Sequence, residues 1–278
     1  MSTNHSPSPV MSYSPGSLRD LLALDSLTDD LFESRSVYFD PYPLYGGHVA
    51  SQALLAAGKT ILDGKNPHSI HCYFLRPGDA AAPIRYQVAK VRDGRSFSLR
   101  SVTAVQGDVE IFTMLASFHV SEDGPDIQVP TMPPVPLPSE SSPYRFPRLF
   151  SFEGMEVKQQ HIHDELLTRF WARASEHLSN DPLTHACAVT YLSDDSCGVA
   201  PLDSDSHRTW ASLDHSLWFH RPVAADEWML VDLVPQRVAN GRAFYTGSIF
   251  STDGTLVASL AQETLYRPGT DPYFAEYR

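Results

Sequence analysis

Two kinds of apolar stretch recur along the chain, and each implies its own backbone. Gly46 to Ile61 (GGHVASQALLAAGKTI) and Pro182 to Ser193 (PLTHACAVTYLS) are runs of small and apolar residues that predict helices. Before the second stand Asn180 and Asp181, either of which can cap free backbone N–H groups, and its opening proline suits a first helical position. The other kind is shorter, rich in β-branched and aromatic residues, and punctuated by Gly-Asp or Asp-Gly pairs, which predicts strands joined by turns. In the first half these are SIHCYFLR, IRYQVAKVRDG, SFSLRSVTAVQGD and EIFTMLASFHV. In the second they are SLWFHRP, WMLVDLVPQRVANG, RAFYTGSIFSTDG and TLVASLAQETLYR. Ahead of all of them, LRDLLALDSLTDDLFES is amphipathic and predicts a helix covering one end.

A helix followed by antiparallel strands, twice over, implies an α+β fold in which each sheet wraps one central helix. The repeat is also visible residue by residue. Aligning Arg76-Pro77 with Arg221-Pro222 places Phe74 on Phe219 and Tyr73 on Trp218, 145 residues apart. Asp93 to Phe97 (DGRSF) then resembles Asn240 to Phe244 (NGRAF) at an offset of 147, and IFTMLASF resembles LVASLAQE at 145. Three ordered matches at nearly constant spacing indicate a duplicated domain. Between the copies, DGPDIQVPTMPPVPLPSESSPYRFP holds eight of the chain's 22 prolines, so it reads as an extended or semi-rigid connector. The division is a polar, Pro- and Ser-rich lead-in over residues 1–17 that reads as disordered, a first domain over 18–122, the linker over 123–147 and a second domain over 148–270.

Composition narrows the function. Of 278 residues 42% are hydrophobic and 19% charged, as in soluble globular proteins. A formal net charge of −12 without any basic run argues against nucleic acid, whose phosphates need a basic face. A phosphorylated small molecule such as CoA needs only a few basic groups or helix N-termini, and stays open. No apolar run reaches the length of a membrane span, and the N-terminus lacks the pattern of a signal peptide. Cys72, Cys187 and Cys197 have no metal-like or paired spacing and read as free thiols in a reducing compartment.

The order GGHVASQAL, HSIHCYFLRPGD, RDGRSFSLR, LSDDS, SLDHSLWFHRP, DGTLVAS and LAQE resembles the acyl-CoA thioesterase II family, the double hot-dog thioesterases, over roughly Leu18 to Arg267. The resemblance implies a tandem hot-dog fold, pairing of two chains, and an acyl-CoA substrate with no metal and no cofactor beyond the CoA of that substrate. It places the family's helix Asp on Asp194 (YLSDD), its hydroxyl on Ser212 (ASLDHS) and its Gln on Gln262 (SLAQET). The family's usual hydroxyl is Thr; Ser212 keeps the oxygen without the methyl that stiffens χ1.

These residue types suit thioester hydrolysis. A positioned carboxylate can orient a water and take its proton, more effectively if burial raises its pKa. Hydroxyl and amide groups can hold the same water, since both donate and accept. Gly46 and Gly47, opening the first helix, are candidates for the oxyanion donors because a carbonyl can approach their N–H groups closely, and His48 beside them is a pocket-lining or structural candidate. Other readings stand beside these. Asp195 competes with Asp194, while Asp214 and His215 read as turn or packing residues. His68 and His71 lack metal-like spacing, and Arg76 and Arg221, each before a proline, read as anchors for a carboxylate or carbonyl. A hot-dog hydratase would carry an Asp and a nearby His, which Asp194 lacks. A biosynthetic enzyme acting on a polyketide-like acyl chain and a non-catalytic acyl-binding protein are the remaining alternatives. The C-terminal Glu276-Tyr277-Arg278 is not a peroxisomal Ser-Lys-Leu signal, so the expected location is the cytosol.

Overall fold

The computed structural model describes residues 16–35, 38, 43–62, 64–144, 146, 149, 151–157, 167–195, 197–202 and 207–268. The lead-in read over residues 1–17 falls almost wholly outside them, as does the side chain of Cys197. The chain begins with one helical turn, α1 (Leu18–Leu21), whose N-cap Ser17 accepts a hydrogen bond from Asp20 N. The longer amphipathic helix expected here does not form. Instead β1 (Leu24–Ser26) and β2 (Leu31–Ser34) make a hairpin. The cause is local: Thr28 Oγ1 donates to Asp30 Oδ1 at 2.8 Å, and the N–H groups of Leu27 and Thr28 both donate to Leu31 O. Short polar side chains that bond their own backbone compete with a helix, and Leu24 and Phe32 bury themselves on a sheet edge.

The first copy continues with α2 (Gly46–Lys59), β3 (Asn66–Phe74), β4 (Arg85–Asp93), β5 (Phe97–Gln106) and β6 (Val109–His119). The second comprises β7 (Ser142–Tyr144), β8 (Phe152–Glu156), β9 (Thr168–Ala174), α3 (Pro182–Ser193), β10 (His207–Ser212), β11 (Asp214–Phe219), β12 (Met229–Ala239), β13 (Arg242–Ser251) and β14 (Leu256–Pro268). Among the described residues these strands form a single antiparallel sheet in the order β1-β2-β4-β5-β6-β3-β11-β14-β13-β12-β9-β8-β7, with β10 also on β14. The copies meet where β3 pairs with β11, from Tyr73 opposite Asp214 to Ser69 opposite Trp218. That pairing removes the open edge each sheet would otherwise present.

Both helices lie against this sheet, side by side and antiparallel: Gly46 faces Asp194 at one end, and Gly58 faces Leu183 at the other. Small residues make the approach possible, since Ala50, Ala53, Ala57, Ala186 and Ala188 are all buried at these helices. Asp181 caps α3, accepting from Leu183 N and Thr184 N at 3.3 and 3.2 Å, as the sequence suggested. Two arginines close loops in the way their X-Arg-Pro context implied. Arg76 Nη1 donates to Glu110 O at 2.8 Å, and Arg221 pairs with Asp126.

The proline-rich connector is fastened to the second copy. Trp171 Nε1 donates to Pro136 O at 2.9 Å, and Leu256 N donates to Gln128 Oε1 at 2.7 Å. Met132 and Val135 pack on a second apolar cluster of Val157, Trp171, Leu230 and Phe250. A chain already extended by proline loses little entropy on docking, and here it covers the sheet face turned away from the helices.

Candidate active site

Asp194 is the C-cap residue of α3, with φ −90° and ψ 16°, and only 2% of it is exposed. A carboxylate there meets the partial negative charge of unbonded helix carbonyls and has little water to offset it. Its stability therefore depends on donors brought by other elements. Ser212 Oγ–H donates to Asp194 Oδ1 at 2.8 Å, and Gln262 Nε2–H donates to the same oxygen at 2.8 Å. Gln262 Nε2 also donates to Ser212 Oγ at 2.6 Å, closing a triangle. Gln262 is wholly buried on β14. Ser212, at the end of β10, sits past a register shift between Thr209 and Ser212, the kind of irregularity that re-aims a side chain.

The other carboxylate oxygen faces the first copy. A Cβ added to Gly46 would lie 2.3 Å from Asp194 Oδ2, so the N-terminus of α2 comes directly against it. That helix has no side-chain cap and no acidic residue in its first turn. The N–H groups of His48 and Val49 turn back to Tyr45 O, while those of Gly46 and Gly47 have no acceptor among the described residues. The positive end of α2 thus meets Asp194, opposing the negative end of α3. Gly47 has a different neighbour: a Cβ there would lie 2.4 Å from Tyr191 O, which also accepts Tyr45 Oη–H at 2.7 Å. Burial first, and the charge of Asp194 second, push the Tyr45 phenol well above its usual range.

Of the residues the sequence singled out, the structure gathers Asp194, Ser212, Gln262 and Gly46, with Gly47 one step along the same helix end. His48 is not part of this contact set. It is buried against Tyr38, Nδ1 to Oη 3.3 Å with the rings stacked, and none of the described contacts joins it to the other three side chains. Asp195 is partly exposed where Asp194 is buried. Asp214 is a strand-entry residue, its Oδ1 accepting from Glu263 N at 2.8 Å. His215, which the sequence gives as a turn or packing residue, is wholly buried and hydrogen-bonded through both ring nitrogens. Its Nδ1 lies 2.6 Å from Gln262 Oε1 and its Nε2 lies 2.8 Å from Ser193 Oγ. The DHSLWFH string contained the signal, but only the β11–β14 alignment shows which residue it serves. Cys72 and Cys187 are buried free thiols, raised well above the usual range by burial first. Among the described residues no group of three or more His, Cys, Asp or Glu gathers as a metal set, and no helix is long and apolar enough to cross a membrane.

Two buried histidines give the fold a pH dependence. Burial lowers His215 to about 4 and His48 to about 3, against about 6.5 for an unperturbed imidazole. Above pH 6.5 both states are neutral and the difference vanishes. Below it the unfolded chain takes up protons that the native chain refuses, so stability is lost as pH falls from about 6.5 toward the folded values. The slope is about 1.4 kcal/mol per pH unit for each histidine. The urea midpoint is expected to fall steeply between pH 7 and pH 5, and His48→Asn to flatten that fall by about one proton. A midpoint independent of pH across this range would overturn the assignment of both rings as neutral.

Comparison with known proteins completes the picture. Residues 40–119 match the model of an acyl-CoA thioesterase N-terminal domain, and residues 122–266 that of an acyl-CoA thioesterase C-terminal domain. The chain is 34% identical over 299 residues to acyl-coenzyme A thioesterase 8 of Homo sapiens, covering 91% of each. A crystal structure of an acyl-CoA thioesterase II from Mycobacterium marinum superposes with a TM-score of 0.80 at 33% identity, covering 91% of this chain and 99% of that one. A hot-dog protein of unknown function from Alicyclobacillus acidocaldarius superposes at 0.77 with 18% identity, covering 91% and 98%, a likeness of fold alone.

Proposed function

The chain belongs to the acyl-CoA thioesterase II family with a tandem hot-dog fold, and from that membership we propose that it hydrolyses acyl-CoA thioesters with a water activated by Asp194, Ser212 and Gln262. The observation that carries this reading is the convergence of Ser212 and Gln262 on the Asp194 carboxylate, with the uncapped end of α2 against that carboxylate's second oxygen. In the proposed reaction Asp194 takes a proton from the water as its oxygen bonds to the thioester carbonyl carbon. The carbonyl oxygen becomes an oxyanion facing the N–H groups of Gly46 and Gly47, preorganised donors at a helix N-terminus. As the C–S bond breaks, the proton held on Asp194 passes to the departing CoA thiolate. Ser212 and Gln262 keep the carboxylate in one orientation, a proximity contribution.

The test is thiol release from a panel of acyl-CoAs, short to long and branched. Release above the non-enzymatic rate from at least one of them supports hydrolysis. Release from none would overturn it in favour of an acyl-binding role or a specialised biosynthetic step. Within the same assay, Ser212→Ala is expected to lower kcat about tenfold, the worth of one hydrogen bond to a charged group. Ser212→Thr is expected to stay within about threefold of the parent, since the hydroxyl is kept and only χ1 freedom is lost. Equal rates for the alanine variant and the parent would remove Ser212 from the site. The proposal extends to a cytosolic setting and to pairing of two chains, the latter measured by sedimentation at working concentration.

A further inference from the structure

Behind Gln262 lies a chain of buried polar groups whose proton positions are forced one by one, on the premise that Asp194 works as proposed above. An ionised carboxylate only accepts. Gln262 therefore turns Nε2 toward Asp194 and Ser212, which leaves Oε1 facing Nδ1 of His215 at 2.6 Å. A carbonyl oxygen also only accepts, so Nδ1 must carry the proton. The imidazole is neutral, so Nε2 is then an acceptor and takes the hydroxyl proton of Ser193 at 2.8 Å. Ser193 stands one residue before Asp194 on the same helix end, so the chain closes on itself: α3, β11, β14 and back to the carboxylate.

We propose that His215 is a positioning residue for thioester hydrolysis, its Nδ1–H holding Gln262 Oε1 so that the amide presents Nε2 to Asp194 and Ser212. The alternative is a histidine that merely fills space. In that case the proton sits on Nε2 and goes to Ser193, whose own proton goes to Thr190 O at 3.1 Å. Nδ1 and Gln262 Oε1 would then face each other as two acceptors at 2.6 Å, or the amide would turn its oxygen toward a carboxylate. Both arrangements are repulsive in a buried setting.

The duplication supplies an internal control. The offset of 145 that places Phe74 on Phe219 places Ile70 on His215. Ile70 is wholly buried and pairs with Ala116 between β3 and β6. In the copy whose helix end lacks the carboxylate, the same place in the sheet is filled by two apolar residues. Packing alone thus has an apolar solution here, and the copy with Asp194 uses a histidine that loses stability in acid instead.

Two measurements decide it. In the wild-type protein with nitrogen-labelled histidine, the His215 ring is expected to carry its proton on Nδ1. A proton on Nε2 would overturn the proposal without any variant having to fold. In kinetics, His215→Asn keeps an N–H near the position of Nδ1, whereas His215→Gln moves its polar end to the position of Nε2. The asparagine variant is expected within about threefold of the parent in kcat, and the glutamine variant about tenfold down with KM within twofold. Equal losses in both, or no loss in the glutamine variant, would overturn the positioning role. If the parent itself releases no thiol, the hydrolase reading fails, while the protonated nitrogen still decides whether His215 orients Gln262.

Discussion

Asp194→Asn is expected to lower kcat for acyl-CoA hydrolysis by about 10²–10⁴-fold, the range of a positioned general base, while the protein stays folded. The substitution is nearly isosteric, and a carbonyl oxygen in the place of Oδ1 still accepts from Ser212 and Gln262, so the triangle on that side survives. What disappears is the proton acceptor and the negative charge at Oδ2. An amide N–H2 there would face the positive end of α2 rather than balance it. KM is expected to move little, because the lost interaction matters as the water is deprotonated and not when the substrate docks. Asp195→Asn is the internal comparison. Its carboxylate is partly exposed, and its neutralisation is expected to change kcat by less than about threefold. Equal losses in the two variants would mean that local charge and not the Asp194 geometry controls the rate. A loss confined to Asp195→Asn would move the base by one residue.

Physical reasons separate what the sequence disclosed from what it hid. The limits of α3 were readable because Asp181 and Pro182 mark its start in chemical terms, and the observed helix is Pro182–Ser193. Strands β4 to β6 and β12 to β14 were readable because their apolar content and turn residues are local properties. The opening segment misled because leucines spaced three or four apart fit a helix, whereas Thr28 and Asp30 form a turn that leucine periodicity does not register. The sequence pattern predicts no strand at the short β8 and β9, although Phe170 and Trp171 give β9 a strand's composition. At the site, the three side chains came from motif resemblance, and their contact could not have been derived from spacing. Ser212 and Gln262 are brought together across β10 and β14, and Gly46 meets Asp194 only because β3 pairs with β11 and sets the helices antiparallel. His215 was hidden for the same reason. Its partners are 22 and 47 residues away in sequence, on a helix and a strand whose register no local pattern specifies.

Gly46→Ala and Gly47→Ala should divide their effects differently between catalysis and stability at adjacent positions. At Gly46 the new methyl would lie 2.3 Å from Asp194 Oδ2 and 2.6 Å from the rim of the Phe74 ring. Both obstacles are ends of side chains, so the backbone can stay where it is. The carboxylate can escape only by rotating away from Ser212 and Gln262. That repositions the base, and a displacement of this size is expected to reduce kcat/KM by about 10²-fold. Stability is also expected to fall, by about 1–3 kcal/mol, because the rotated carboxylate leaves two buried donors unpaired. At Gly47 the methyl would lie 2.4 Å from the carbonyl oxygen of Tyr191 and 2.6 Å from the Tyr45 ring. A backbone carbonyl cannot rotate aside without moving α3, so the helices must part. Overpacking of that kind costs about 1–3 kcal/mol, expected as a drop in urea midpoint, with kcat of the folded fraction reduced less than in Gly46→Ala. Urea melts and acyl-CoA kinetics on both variants decide the matter. If Gly46→Ala lost stability and kept its rate, the end of α2 would be a packing joint. If Gly47→Ala lost as much rate as Gly46→Ala, the helix contact and the site would be one mechanical unit, and the carboxylate could not be displaced without unseating the joint between the two copies.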